Sequence, residues 1–205
     1  MEDVRDLKAL QLDALREVAN IGAGHAATAL SQMTDRRIMI SVPRINIARL
    51  EDVPELLGDP QAVVAAVLMH MLGDLTGRTL LIVPEAVGRR LCDMLLRRPR
   101  GATVAYEALE QSCLKEAGNI LSGAYMNALS EFMGMLLLPS VPSLVVDVSG
   151  AVLTTAYLNF GQERDFIFCV ETEFSLDAEE GLRGHFLLLP DLASLKAIFD
   201  AIRLT

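Results

Sequence analysis

The sequence predicts one α/β domain over residues 1–205, in which two homologous halves, about 1–99 and 100–205, share a mixed or antiparallel sheet packed by two long related helices. Three observations predict it. The stretch Asp13-Ala14-Leu15-Arg16-Glu17-Val18-Ala19-Asn20-Ile21 returns as Ser112-Cys113-Leu114-Lys115-Glu116-Ala117-Gly118-Asn119-Ile120, and the likeness continues through Gly24/Gly123 and Ala29-Leu30-Ser31/Ala128-Leu129-Ser130, always 99 residues apart. The tripeptide Ser41-Val42-Pro43 recurs as Ser140-Val141-Pro142 at the same spacing. Each half also reads helix, strand, short helix, strand, strand, helix, an order that calls for antiparallel hairpins rather than repeated parallel crossovers. These features together imply a pseudo-two-fold axis.

Helical periodicity runs from about Leu7 to Met33 and again from about Val104 to Met133; both stretches are long for globular helices, and each contains glycine, where a bend is expected. The repeated Ser-Val-Pro tripeptides introduce strands at Ile45-Asn46-Ile47 and Leu144-Val145-Val146-Asp147. Short helical or irregular segments follow at Val53 to Leu57 and Ala151 to Phe160, then strand pairs at Ala62 to Met71 with Arg78 to Val83, and at Asp165 to Phe174 with Arg183 to Leu189. Each half closes with a helix started by proline, at Pro84-Glu85 and Pro190-Asp191, because a missing N–H costs nothing in a first helical turn. Those prolines are 106 apart, seven more than 99, and the Asp-, Glu- and Gly-rich stretch Ser175 to Gly184 is the expected place of the extra residues. The Pro99-Arg100-Gly101 seam is too short for an independent linker.

Composition removes several function classes. A 52% hydrophobic content supports a large core and argues against disorder. A net charge of −9, with Arg97-Arg98-Pro99-Arg100 as the densest basic cluster, argues against a nucleic-acid binder, which needs a basic face. The start, Met1-Glu2-Asp3-Val4-Arg5, lacks the order of a secretory signal, and no apolar run reaches the roughly 18 residues of a membrane span. Cys92, Cys113 and Cys169 have no metal or redox spacing, which fits a reducing compartment. A cytoplasmic protein without membrane insertion is expected.

At 100° per residue, Asp13, Glu17 and Asn20 fall at about 0°, 40° and −20°, one narrow stripe opposite Leu15, Val18 and Gly22. Ser112, Glu116 and Asn119 repeat the stripe, with Leu114, Ala117 and Leu121 behind it. A single such stripe reads as a solvated helix face. Its repetition points elsewhere, because asparagine is a mediocre helix former with no intrinsic reason to stay mid-helix in both copies. A carboxamide offers one acceptor and two donors and does not titrate, so it holds a water in a fixed direction without acting as a strong base. That suffices where the leaving group is already good, as in phosphoryl transfer, whose catalysis is largely positioning and electrostatics. The carboxylate would dock on a cation of the partner, and an exposed stripe implies a macromolecular substrate bringing its own metal and phosphate.

The pattern Asp/Ser, three residues, Glu, two residues, Asn, present twice over essentially the whole chain, resembles the CheC family of chemotaxis phosphatases within the wider CheC/CheX/FliY group. The resemblance implies hydrolysis of the aspartyl phosphate on the response regulator CheY at two active faces. Glu17 and Glu116 would pair with the regulator's lysine, Asn20 and Asn119 would orient the attacking water, and Asp13 and Ser112 would support docking. Mg²⁺ would come with the regulator, this chain having no cofactor or metal of its own. The family also implies a second partner, the receptor deamidase CheD, modulating the activity. Receptor segments that CheD modifies are helical and rich in small residues, so Ser149 to Phe160, with Gly150, Ala151, Thr154, Thr155 and Ala156, is the expected contact. A monomer is expected. The alternative from another class is a non-catalytic interaction module like the flagellar switch proteins; Glu and Asn in both copies favour the enzyme.

Other motifs carry less. His25, His70 and His185 show no ligand spacing. Gly22-Ala23-Gly24 lies in a helical pattern with no strand before it, so close packing of the two long helices at the repeated Gly24/Gly123 is expected rather than phosphate cradling. Cys113 has no histidine near it in sequence to make a nucleophile. Methionines such as Met126, Met133 and Met135 are expected to fill core gaps.

Overall fold

A computed structural model of the chain describes residues 9–49, 59–157, 166–176 and 182–203. The first half contributes α1 (Ala9–Thr34), β1 (Ile38–Ile40), β2 (Arg44–Arg49), β3 (Val63–Gly73), β4 (Gly77–Pro84) and α2 (Glu85–Leu95). The second contributes α3 (Ala108–Met133), β5 (Leu137–Pro139), β6 (Ser143–Val148), α4 (Ser149–Tyr157), β7 (Phe166–Leu176), β8 (Leu182–Pro190) and α5 (Leu192–Arg203). The eight strands form one antiparallel sheet in the order β1-β7-β8-β4-β3-β5, with β2 continuing beside β7 and β6 beside β3. Each half therefore lends its leading strands to the other. At the centre β4 pairs with β8, Gly77 opposite Pro190 and Ile82 opposite His185. Neither half could close its sheet alone.

Alternation along the strands sorts the core into two layers. Ala65, Val67, Met69, Met71, Leu81, Val83, Phe186 and Leu188 point to one face and meet α1, α2, α3 and α5. Their neighbours Val64, Ala66, Leu80, Ile82, Leu187 and Leu189 point to the other and meet Val152, Leu153 and Ala156 of α4. Each leucine so buried contributes about 1.5–3 kcal/mol. Of the methionines, Met126 is fully buried, while Met133 and Met135 pack at the margin of the same core.

Helix α3 lies against the sheet and touches β3, β4, β8 and β7 in turn through named side chains. Gly118 sits against Val67 of β3, where a Cβ would stand 2.6 Å from a valine methyl. One turn on, the Ser122 hydroxyl bonds Thr79 of β4 at 2.7 Å. The ring of Tyr125 stacks on Phe186 of β8, centroids 4.7 Å apart, and its hydroxyl meets Thr172 of β7 at 2.6 Å. Helix α1 packs on α3, closest where Gly22 faces Tyr125. Gly22 is thus the glycine at the helix–helix contact, and Gly118 the one against the sheet. Gly24 and Gly123, expected at the helix–helix contact, have, among the described residues, nothing beyond their own helix backbone within 4 Å of where a Cβ would be.

Both long helices end alike. Asp35 and Gly134, again 99 apart, take left-handed φ values of 52° and 65°, and the next N–H, of Arg36 or Met135, reaches back to Ser31 or Ser130. Short strands follow at once, β1 and β5, which the alternation signal is too brief to announce. The two prolines differ from expectation: Pro84 is the last residue of β4 and the cap of α2, whereas Pro190 ends β8 and Asp191 caps α5 by accepting the Ser194 N–H at 2.8 Å. Pairing also relocates most of the extra residues. Arg49 opposes Phe166 and Val148 opposes Val63, so β2 and β6 keep the 99-residue offset while β3 and β7 are 103 apart. Four of the seven therefore enter before β7, not within Ser175 to Gly184. The segment from Val53 to Leu57 lies outside the described residues.

Candidate functional site

Helix periodicity, once α1 and α3 are seated, decides which side chains look outward. In α1, Leu15, Val18 and Gly22 are buried and Asp13, Glu17 and Asn20 are exposed. In α3, Leu114, Ala117 and Leu121 are buried, Ser112 and Glu116 are exposed, and Asn119 is half-buried. Glutamate and asparagine three apart place their side-chain roots about 5–6 Å from one another. None of Glu17, Asn20, Glu116 or Asn119 hydrogen-bonds another described side chain, so the amides and carboxylates stay available to a visitor. The leading positions are engaged locally and differently: Asp13 accepts from Arg16 at 3.0 Å, whereas the Ser112 hydroxyl donates back to the Ala108 carbonyl at 2.9 Å.

The two copies differ at several buried positions, yet share Glu, Asn, Ile and Gly at matching places on the helices. Buried positions of α1 read Ala19, Gly22, Ala23 and Ala26, and their counterparts in α3 read Gly118, Leu121, Ser122 and Tyr125. Some shared residues follow from the fold: Leu15/Leu114 and Leu30/Leu129 are core, and Ser31/Ser130 fasten the helix ends, Ser31 accepting the Ile38 N–H at 3.0 Å. The remainder do not. Glu17/Glu116, Asn20/Asn119 and Gly24/Gly123 share one helical stripe, exposed in α1 and exposed to half-buried in α3; Ile21 is 44% exposed, whereas Ile120 packs partly against the core.

Comparison with known proteins agrees with this repeat. The family model described as CheC-like matches residues 10–47 and 109–146, two segments in the same 99-residue register. The chain is 33% identical over 199 residues to the CheY-P phosphatase CheC of Bacillus subtilis (strain 168), covering 96% of this chain and 95% of that protein. The chain belongs to the CheC-like family. A second relative, the flagellar motor switch phosphatase FliY of the same organism, is 24% identical over 62% of this chain and 33% of its own length. Among solved structures, Thermotoga maritima FliY superposes with a TM-score of 0.76 at 19% identity, over 97% of this chain and 98% of that one. This likeness shows a shared fold.

The segment expected to meet a second partner is helical up to Tyr157; residues 158–160 lie outside the described part. Its residues are not equally available. Ser149 is buried and donates its hydroxyl to the Asp59 carbonyl at 3.0 Å, and Gly150 and Ala151 are half-buried, so the burial of Ser149 removes it from any outer surface. Thr154 and Thr155 are exposed. Buried Arg78 donates to the carbonyls of Thr155 and Ala156, opposing the negative end of the helix.

Elsewhere the titratable groups are structural. His185 meets Glu171 across β8 and β7 at 3.1 Å, and His25 and His70 are exposed. Burial pushes the Cys92 thiol up to about 12 and raises that of Cys113, the opposite of what a nucleophile needs. No helix among the described residues is long and apolar enough to cross a membrane.

Proposed function

We propose that this chain is a phosphatase acting on the aspartyl phosphate of a phosphorylated CheY regulator, at two faces formed by Glu17 with Asn20 and Glu116 with Asn119. The observation that carries the reading is the Glu–Asn pair repeated on two helices, exposed or half-buried and without a side-chain hydrogen bond to another described residue, while several buried positions of those helices differ. Membership of the family that includes a named CheY-P phosphatase supports the substrate.

The reaction needs little from the protein. Water attacks phosphorus, the bond from phosphorus to the regulator's carboxylate oxygen breaks, and that carboxylate leaves already stable, so a strong base is unnecessary. Asparagine contributes direction: its carbonyl accepts a hydrogen bond from the water while its N–H₂ is free to bond a phosphoryl oxygen, which fixes the water oxygen in line with the breaking bond, and the water's proton passes to the departing phosphate. Glutamate contributes the anchor, its carboxylate meeting the regulator's lysine as a charge-assisted pair. A lone carboxylate beside an amide is too poor a donor set for a resident cation, so Mg²⁺ belongs to the regulator. CheD would engage the exposed Thr154 and Thr155 of α4 and modulate turnover, the chain acting as a cytoplasmic monomer.

The test is phosphate release from phosphorylated CheY with excess Mg²⁺. Acceleration over the regulator's own decay is expected. A rate equal to that decay leaves the non-catalytic module as the reading.

A further inference from the structure

A glycine inside a helix costs about 1 kcal/mol relative to alanine, and a protein keeps one there when a neighbour leaves no room for a methyl. Gly22 and Gly118 obey this, with Tyr125 and Val67 pressed against them. Gly24 and Gly123 do not: each lies in mid-helix without a left-handed φ, and among the described residues nothing beyond the helix's own backbone stands within 4 Å of the place a Cβ would take. The cost is nevertheless retained in both copies. On the helical wheel Gly24 falls at about 20°, between Glu17 and Asn20 and one turn beyond the asparagine, so the bare backbone is at the centre of the outward ridge. Ile21, exposed beside it, makes the floor apolar. In α1 the Thr28 hydroxyl donates to the Gly24 carbonyl at 2.9 Å, a second bond beside the helix's own, without filling the space above it.

We infer that Gly24 and Gly123 are positioning residues of the two faces: the phosphorylated receiver brings its own main chain against the helix there, and only the absent side chain lets Asn20 or Asn119 reach the phosphorus. This rests on the phosphatase reading and deepens it by stating how the substrate seats. The occupant is a loop of the receiver bordering its phosphorylated aspartate, because the amide one turn away must arrive within hydrogen-bond reach of the attacking water.

The proposal separates binding from folding in opposite directions. The double variants Gly24→Ala/Gly123→Ala and Gly24→Leu/Gly123→Leu should melt at or above the wild-type temperature, since helix propensity improves and nothing is hit. Their kcat/KM on phosphorylated CheY should fall in a graded way, about tenfold for alanine and at least a hundredfold for leucine, mainly through KM. Binding of a beryllofluoride-activated receiver should weaken in parallel. Wild-type kcat/KM in the leucine variant would overturn the proposal, and so would loss of activity together with a lowered melting temperature, which would mark a structural role. The companion variant Asn20→Ala/Asn119→Ala reports on the underlying reading: if it retains turnover the chemistry is misassigned, whatever the glycines do.

Discussion

At the scale of single residues, the amide and the carboxylate have separable duties. The double variant Asn20→Ala/Asn119→Ala should lose about a hundredfold or more in kcat while the receiver still binds, because only the direction of the water is removed. Either single variant should keep the turnover of the other face. Glu17→Ala/Glu116→Ala should weaken binding and turnover together, since a charge-assisted pair is lost; titration of the activated receiver beside single-turnover assays distinguishes the cases. No group of this chain changes protonation in the mechanism, so kcat should vary little between about pH 6.5 and 8.5. A steep bell in that range, not traceable to the regulator, would reveal a base among these residues.

At the scale of elements, four glycines and one aspartate on the long helices have opposite sensitivities. Gly118→Ala drives a methyl to 2.6 Å from Val67, and Gly22→Ala to 3.0 Å from the Tyr125 ring and 3.1 Å from its Cα. Overpacking of this kind costs about 1–3 kcal/mol, which a gain in helix propensity only partly offsets. Denaturant unfolding should show both variants destabilised, in contrast to the outward glycines. Asp35 holds the left-handed turn that Gly134 holds in the other copy, at φ 52°. Asp35→Gly should therefore stabilise by up to about 1 kcal/mol, a left-handed L-residue being strained by about 1–2 kcal/mol and aspartate by less. Both long helices were legible from the repeat and its apolar periodicity. Strands β1 and β5, three residues each, were not, because so short a run takes its conformation from β7 and β3 rather than from its own pattern.

At the scale of the whole molecule, the exchange of leading strands makes the halves interdependent, and buried carboxylates help to hold the seam between them. Asp93 of α2 accepts the Gly101 N–H at 2.7 Å and the Thr103 N–H at 2.8 Å. Burial alone would raise its pKa, but the bonds from Thr103 and Gly101 outweigh burial and hold the carboxyl below the usual carboxylate range. A pKa lowered on folding means stability that is fully present above the unfolded value of about 3.9 and is lost as pH falls through the folded one. Asp93→Ala should destabilise by about 1–3 kcal/mol near neutrality and lose less further stability than the parent on acidification, checked by denaturant unfolding across that window. Arg98 bonds Glu110 at 2.5 Å across the same seam.

The sequence by itself determined the duplication, the antiparallel class, the long helices and the outward Glu–Asn stripes. Each of these is a local period or a repeated string, and local periods do not depend on what the chain later packs against. Only the tertiary structure decided which glycine is a packing glycine. Gly22 and Gly24 are two residues apart and alike as letters, yet one faces Tyr125 and the other open space. It likewise decided that Ser149 is spent on Asp59, that most of the extra residues precede β7, and that each half completes its neighbour's sheet. These are long-range facts, fixed by which surfaces meet across the pseudo-two-fold axis, and such meetings leave no mark on the spacing of residues along a single helix or strand.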